Sequence, residues 1–189
     1  MLRGPSRNLF LLASVAVALI LLLLSAPPCA CATGTAAHRT LQTRYASVSY
    51  TDAGGLIEFG RRIGPGSASL VRDNDRARAL VKEELDRMVF RVRSLLDMYP
   101  PDFHFEIVIL KTYADVKLTY AGLGMAGPAP IAFYRQKSHT IYLGLDRLTP
   151  GVLGHEIAHA VINAFFPTPP PAQMQEILAR YVDRHLPDK

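Results

Sequence analysis

His155 and His159 stand four residues apart with Glu156 between them, in the run His155-Glu156-Ile157-Ala158-His159. On an α-helix, positions i and i+4 share one face, so both imidazoles can offer a ring nitrogen to one cation. Glu156 lies about 100° further round the helix, where its carboxylate reaches a water on that cation rather than the cation itself. The set suits zinc, which lowers the pKa of a bound water toward about 7 and steadies the oxyanion formed on attack at a carbonyl. Glu156 is then the general base that takes the proton. The chemistry this predicts is metal-dependent hydrolysis.

The local sequence writes the helix that the motif needs. Thr149 suits the N-cap, Pro150 the first helical position, and Pro167 stops the helix after Phe165-Phe166. Val152, Ile157, Ala160, Val161, Ala164 and Phe165 make it apolar over much of its surface, which places it in the core. Two histidines buried there without a metal would need other polar partners.

Catalytic zinc usually keeps three protein ligands and leaves the fourth position open. After the proline-rich turn at 167–171, a second helix from Ala172 to about His185 is predicted from Met174, Ile177, Leu178, Tyr181, Val182 and Leu186. A short connection makes the two helices antiparallel neighbours, which returns the second helix's only glutamate, Glu176, toward the histidines. Asp146, ahead of the first helix, and Asp183, further along the second, compete for the same role. Asn163, one turn beyond His159, either hydrogen-bonds to the site or ends the polar stripe. Tyr134, Tyr142 and Tyr181 are candidate transition-state donors. His38, His104, His139 and His185 read as surface or satisfied core histidines, with His104 and His139 in strands.

The HExxH run, the short insert and Glu176-Ile177-Leu178-Ala179-Arg180-Tyr181 resemble the gluzincins, specifically the small peptidase-MA-like zinc metallopeptidases. These pair HExxH with a glutamate in a following Glu-Gly-Leu-Ala-x-Tyr-like segment, and the resemblance in order of elements covers roughly 45–186. It implies His155, His159 and Glu176 as zinc ligands, Glu156 as the catalytic base, and a peptide or protein substrate. The implied fold is α+β: a small zincin-like domain with a mixed sheet, a long scaffold helix, the HExxH helix and a following helix that carries the glutamate ligand. Two positions depart from the pattern. Ile177 replaces the glycine, and Arg180 stands where some gluzincins carry an aspartate that orients a histidine ligand. Asp183 shares a helical face with Glu176 but lies two turns away.

The elements upstream must position this site. Residues 131–134 and 139–145 read as two strands joined by the polar turn 135–138, and the second leads into the motif helix. An exposed edge strand there would pair with an extended peptide; an ordinary hairpin covering the core is the equal alternative. Residues 103–110 predict a central strand, 113–120 a short helix, and 122–130 a loop at the cleft rim. Residues 75–98 carry apolar side chains three and four apart and predict a long amphipathic scaffold helix, capped by Asn74 or Asp73 and ended by Pro100-Pro101. Residues 45–63 alternate weakly around Gly54-Gly55 and predict a hairpin, with a break at Gly64-Pro65-Gly66.

Arg3 and Arg7 precede an apolar run over 9–24, followed by Ala30-Cys31-Ala32, the features of an export signal cleaved before Thr33. A retained anchor is the rival, because the run approaches the ~17 residues a span needs. A lipoprotein acylated at Cys29 or Cys31 is third. Each alternative puts the domain outside the cytoplasm: periplasmic, extracellular or membrane-anchored. The expected organisation is therefore 1–32 signal or anchor, 33–44 flexible lead-in, and 45–189 one metallopeptidase domain. Both cysteines fall before Thr33, so the exported domain cannot rely on disulfides. Losing Arg3 and Arg7 with no acid lowers the formal charge from +5 to +3. That balance, without a recognition motif, argues against nucleic acid as a partner. A zinc-binding envelope module with little turnover is the alternative function, although such a module has no use for Glu156. A structural protein with an accidental motif would bind no metal.

Overall fold

Alternating apolar residues build the sheet. The computed structural model describes residues 39–64 and 75–186. Within them strands β1 (Arg39–Gln42), β2 (Ala46–Tyr50), β3 (Phe105–Leu110), β4 (Ala132–Arg135) and β5 (Thr140–Gly144) pair in the order β1-β2-β3-β5-β4. The two inner pairings, β2 with β3 and β3 with β5, are parallel; the outer two are antiparallel. One row of partners, Leu41, Val48, Ile107, Ile141 and Tyr134, crosses all five strands on a single face. Its first four members are buried. Because strand side chains alternate with period two, this row marks the sheet's core side.

Helices α1 (Ala53–Ile63), α2 (Asp75–Leu96), α4 (Pro150–Phe165) and α5 (Ala172–His185) join this face in one hydrophobic core. The α2 helix buries Ala77, Val81, Leu85, Met88, Val89 and Val92, the three-and-four spacing of an apolar stripe. The expected caps at 73 and 74 lie outside the described residues. On the opposite face α3 (Tyr113–Gly122) sets Tyr120 edge-on against Phe133 of β4, which stacks on Tyr142 of β5. The architecture is α+β with a mixed five-stranded sheet.

Three expectations fail upstream. The hairpin predicted over 45–63 is strand β2 followed by helix α1. Asp52 accepts a hydrogen bond from the Gly55 N–H at 2.8 Å and caps that helix, and Leu56, Ile57, Phe59, Gly60 and Ile63 are buried at helical spacing. Burial of that stripe outweighs the poor helix propensity of three glycines, Gly54, Gly55 and Gly60, about 1 kcal/mol each. The flexible lead-in predicted for 33–44 also gives way at 39–42, which forms β1 and pairs with β2. Thr43 joins the two strands, its hydroxyl accepting from the N–H groups of Tyr45 and Ala46 at 3.2 and 3.0 Å. His139, placed in a strand, sits before β5 with φ 49°, and His104 immediately precedes β3. His38 and the N-terminal segment 1–32 lie outside the described residues. Among the described residues no helix is long and apolar enough to cross a membrane.

Close packing of α4 on α5 depends on Gly154. A Cβ there would collide with buried Leu186 at the end of α5, with Val182 behind it at 3.8 Å. Gly154→Ala gains helix propensity worth up to about 1 kcal/mol but overpacks the interface at a cost of about 1–3 kcal/mol. The variant is expected to melt several degrees lower in a thermal scan. An unchanged or raised melting temperature would show slack between the helices.

Candidate metal centre

Helix α4 begins as its sequence requires. The Thr149 hydroxyl accepts from the Val152 N–H at 3.2 Å, Pro150 occupies the first turn, and the helix ends at Phe165. This places His155 and His159 one above the other, with their Nε2 atoms 3.2 Å apart and their rings at 72°. Helix α5 runs back alongside and brings Glu176 to both. Its Oε1 lies 3.3 Å from His159 Nε2 and its Oε2 lies 3.7 Å from His155 Nε2. Ligands about 2.0–2.1 Å from a tetrahedral zinc would be about 3.3 Å from one another. The three residues predicted as ligands therefore form a triangle of the right size, with no side-chain rearrangement required. Zinc fits the donor set of two imidazoles and one carboxylate.

The competing carboxylates are elsewhere. Asp146 accepts from the Tyr113 N–H at 2.8 Å at the start of α3. Asp183 lies beyond Glu176 on α5, where it lines the same cleft as His155 and Glu156.

Histidine ligands need their second ring nitrogen held, and here the structure supplies a residue that the sequence reading passed over. The Gln175 side chain stands beside the His159 ring, where its polar group favours the protonated imidazole. The Nε2 of His159 faces His155 and Glu176, which leaves Nδ1 as the ring nitrogen open to such a neighbour. Gln175 is itself fixed: its Nε2 donates to the Pro170 carbonyl at 2.8 Å, and Asn163 Nδ2 donates to its Oε1 at 2.9 Å and to the His159 carbonyl at 2.8 Å. Asn163 thus bonds the His159 backbone and Gln175 rather than a ring nitrogen of the site. Arg180 does not orient a histidine; its Nε lies 3.9 Å from Glu176 Oε2. A glutamine on an exposed-looking helix carries no sequence signal for this task. Its position beside Glu176 becomes telling only once α5 is packed on α4.

Gln175→Leu keeps the size and removes the polar group. The variant is expected to bind zinc about 10- to 100-fold more weakly, read by competition with a chromogenic chelator, while its circular dichroism stays unchanged. Unchanged affinity would mean that packing alone orients His159.

Burial shapes the protonation of the site. The His159 pKa is lowered, first by desolvation and then by the neighbouring His155, against the raising effects of Glu176 and Gln175. A neutral imidazole is the form that binds a metal. Glu156 is only 7% exposed. Burial pushes its carboxyl up from 4.5 to about 8, a backbone hydrogen bond from Tyr134 opposes this, and the Glu176 charge adds to it. A base poised near neutrality is suited to taking a proton and returning it.

Strand β4 stands at the sheet edge beside α4, and its Tyr134 backbone reaches Glu156. Of the three tyrosines considered, Tyr134 places its hydroxyl 2.9 Å from His139 Nδ1, Tyr142 stacks on Phe133, and Tyr181 stacks on His185 at 4.1 Å. Burial raises the Tyr134 pKa to about 12. Comparisons with family models, curated proteins and solved structures returned no match.

Proposed function

We propose that this chain is an exported zinc-dependent peptidase of gluzincin type, hydrolysing peptide bonds in peptide or protein substrates. The observation that carries the reading is the convergence of His155, His159 and Glu176 on one point, with the buried carboxyl of Glu156 beside it under an open sheet edge. His155, His159 and Glu176 would hold the metal, and Glu156 is not needed as a ligand. When bound, zinc supplies Lewis-acid polarisation of the carbonyl and acidifies water. Glu156 takes the proton of the attacking water and passes it to the departing amine, which leaves as a neutral group. The outer edge of β4 offers backbone groups to an extended peptide, an arrangement that tolerates varied side chains. Gln175 and Asn163 hold His159 in its ligating orientation. The apolar segment 9–24 supports export or membrane attachment, and the modest basic balance supports a protein rather than a nucleic-acid partner.

A second reading, a zinc-binding envelope module with little turnover, draws on Arg180 beside Glu176, where its cation competes with a metal for the carboxylate. The buried general base counts against it, since burying an ionisable group that does nothing is costly.

Elemental analysis of the purified protein tests the metal, and cleavage of an unstructured protein substrate tests the chemistry. About one zinc per chain is expected, together with cleavage that stops on chelation and returns with zinc. A folded protein that takes up no zinc when it is supplied would sink the reading; bound zinc without cleavage would favour the envelope module.

A further inference from the structure

An open cleft borders the candidate metal centre on its His155 and Glu156 side. Pro130, Ile131, Ala132, Thr149, Val152 and Asp183 join His155 and Glu156 in lining a space of about 590 Å³. Asp183 lies seven residues beyond Glu176 on the same side of α5, so the two carboxylates are separated by about 10.5 Å along the helix axis. Because α4 and α5 are antiparallel, this cleft runs beside the first turns of α4. Gly151 makes the room: any side chain there would collide with the Asp183 carboxylate. Among the described residues Asp183 has no hydrogen-bond or ion-pair partner. The nearest cation on its own helical face, Arg180, leans one turn the other way toward Glu176. This channel is open to solvent, with a side of partly exposed Ile131, buried Ala132 and half-buried Val152, and an exposed carboxylate without a protein partner among the described residues at its far end.

We propose that this channel is a specificity subsite for a basic side chain, arginine or lysine, close to the scissile bond of the peptide substrate, with Asp183 as its charged terminus. The inference rests on the peptidase reading. A long basic side chain has the matching shape: an apolar stem that packs on Ile131 and Val152, and a cationic head that reaches the carboxylate. A short or acidic side chain would leave Asp183 unpaired or opposed. The positive end of the α4 dipole keeps Asp183 in place when the subsite is empty. Asp183 is therefore a binding residue, with no part in the proton transfers.

The test digests a degenerate peptide mixture with the zinc-loaded full chain and maps the cleavage sites by mass spectrometry. Arginine and lysine are expected to be enriched at one fixed position near the cut. Asp183→Asn is expected to lower the preference for arginine over norleucine at that position by about 10- to 100-fold, the worth of a hydrogen bond to a charged group. A merely structural Asp183 would alter total activity or melting temperature without moving this ratio. Cleavage with no basic preference, or with a preference that survives Asp183→Asn, overturns the subsite and leaves the peptidase reading standing. Binding supplies the second readout. Zinc-loaded Glu156→Gln protein should bind a blocked arginine peptide more tightly than its norleucine counterpart by calorimetry, and lose that difference when Asp183→Asn is added. A difference that appears without any cleavage by the wild type would overturn the peptidase reading while keeping the basic subsite; no difference in binding overturns the subsite.

Discussion

Glu156→Gln is expected to lower kcat for peptide hydrolysis by about 10²- to 10⁴-fold, the range that a positioned general base supplies, with zinc content unchanged. The amide keeps the size of the carboxyl and can still accept from the Tyr134 backbone, but it cannot take a proton from water. The proposed ligands His155, His159 and Glu176 are untouched, so elemental analysis should return the wild-type value. Activity within a few-fold of wild type would remove Glu156 from the chemistry, and loss of metal would give it a structural role instead. The same variant has a second, independent signature in the metal-free protein. The Glu156 carboxyl is raised from 4.5 in the unfolded chain to about 8 when folded. Between these values the folded state holds a proton that the unfolded chain has released, so wild-type stability falls as pH rises through this window. The amide of the Glu156→Gln variant does not titrate and adds no such slope. Unfolding free energies of chelator-treated wild type and variant, from denaturant titrations, should therefore diverge from pH 4.5 to about 8 in the variant's favour, by an amount on the order of a few kcal/mol. Parallel curves would show that water relieves the burial of Glu156.

Glu176→Ala is expected to reduce zinc affinity by more than the about 10- to 100-fold that loss of a hydrogen bond to a ligand costs, and to abolish hydrolysis at ordinary zinc concentrations. Removing it leaves two imidazoles and withdraws the only negative charge among the ligands, so a dication in a partly buried site loses both a bond and its neutralisation. The side chain of Glu176 is 46% exposed, so its removal opens no core cavity and the fold should persist. Chelator competition reads the affinity, and thermal unfolding with and without zinc reads the linkage: the wild type should gain stability on adding metal and the variant far less. Retention of wild-type affinity would reassign the third ligand. Asp146 is a poor substitute because the Tyr113 N–H engages it, and Asp183 because it lies two turns away.

How far the sequence could be read depended on how local each signal was. Helix α4 was legible down to its cap because Thr149, Pro150 and the apolar residues around the motif act within one segment. Helix α5, strands β3, β4 and β5, and helix α2 were legible for the same reason, through a period of 3.6 or 2, whereas α3 buries only Val116 and shows no such period. Helix α1 was misread because Gly54-Gly55 is a turn signal in isolation, while the burial that makes it helical comes from a distant part of the chain. Strand β1 carries only one buried residue in four, Leu41, so no period announces it; its pairing with β2 makes it a strand. Gln175 and Asn163 have side chains that serve anywhere, and only the packing of two helices gives them a task.

The sequence by itself determined the chemistry on offer: two imidazoles on one helical face, a glutamate set to one side of them, and a single glutamate on the next helix. These follow from helical geometry, which fixes relations within about one turn whatever surrounds them. Tertiary structure alone decided that Glu176 closes the triangle, that Gln175 stands beside His159, that burial pushes the Glu156 carboxyl well above the usual range, and that Asp183 faces the same cleft as His155. Each of these depends on the distance between groups far apart in the chain and on the water excluded between them. Both are set when α4, α5 and β4 pack together, and no local pattern encodes either one.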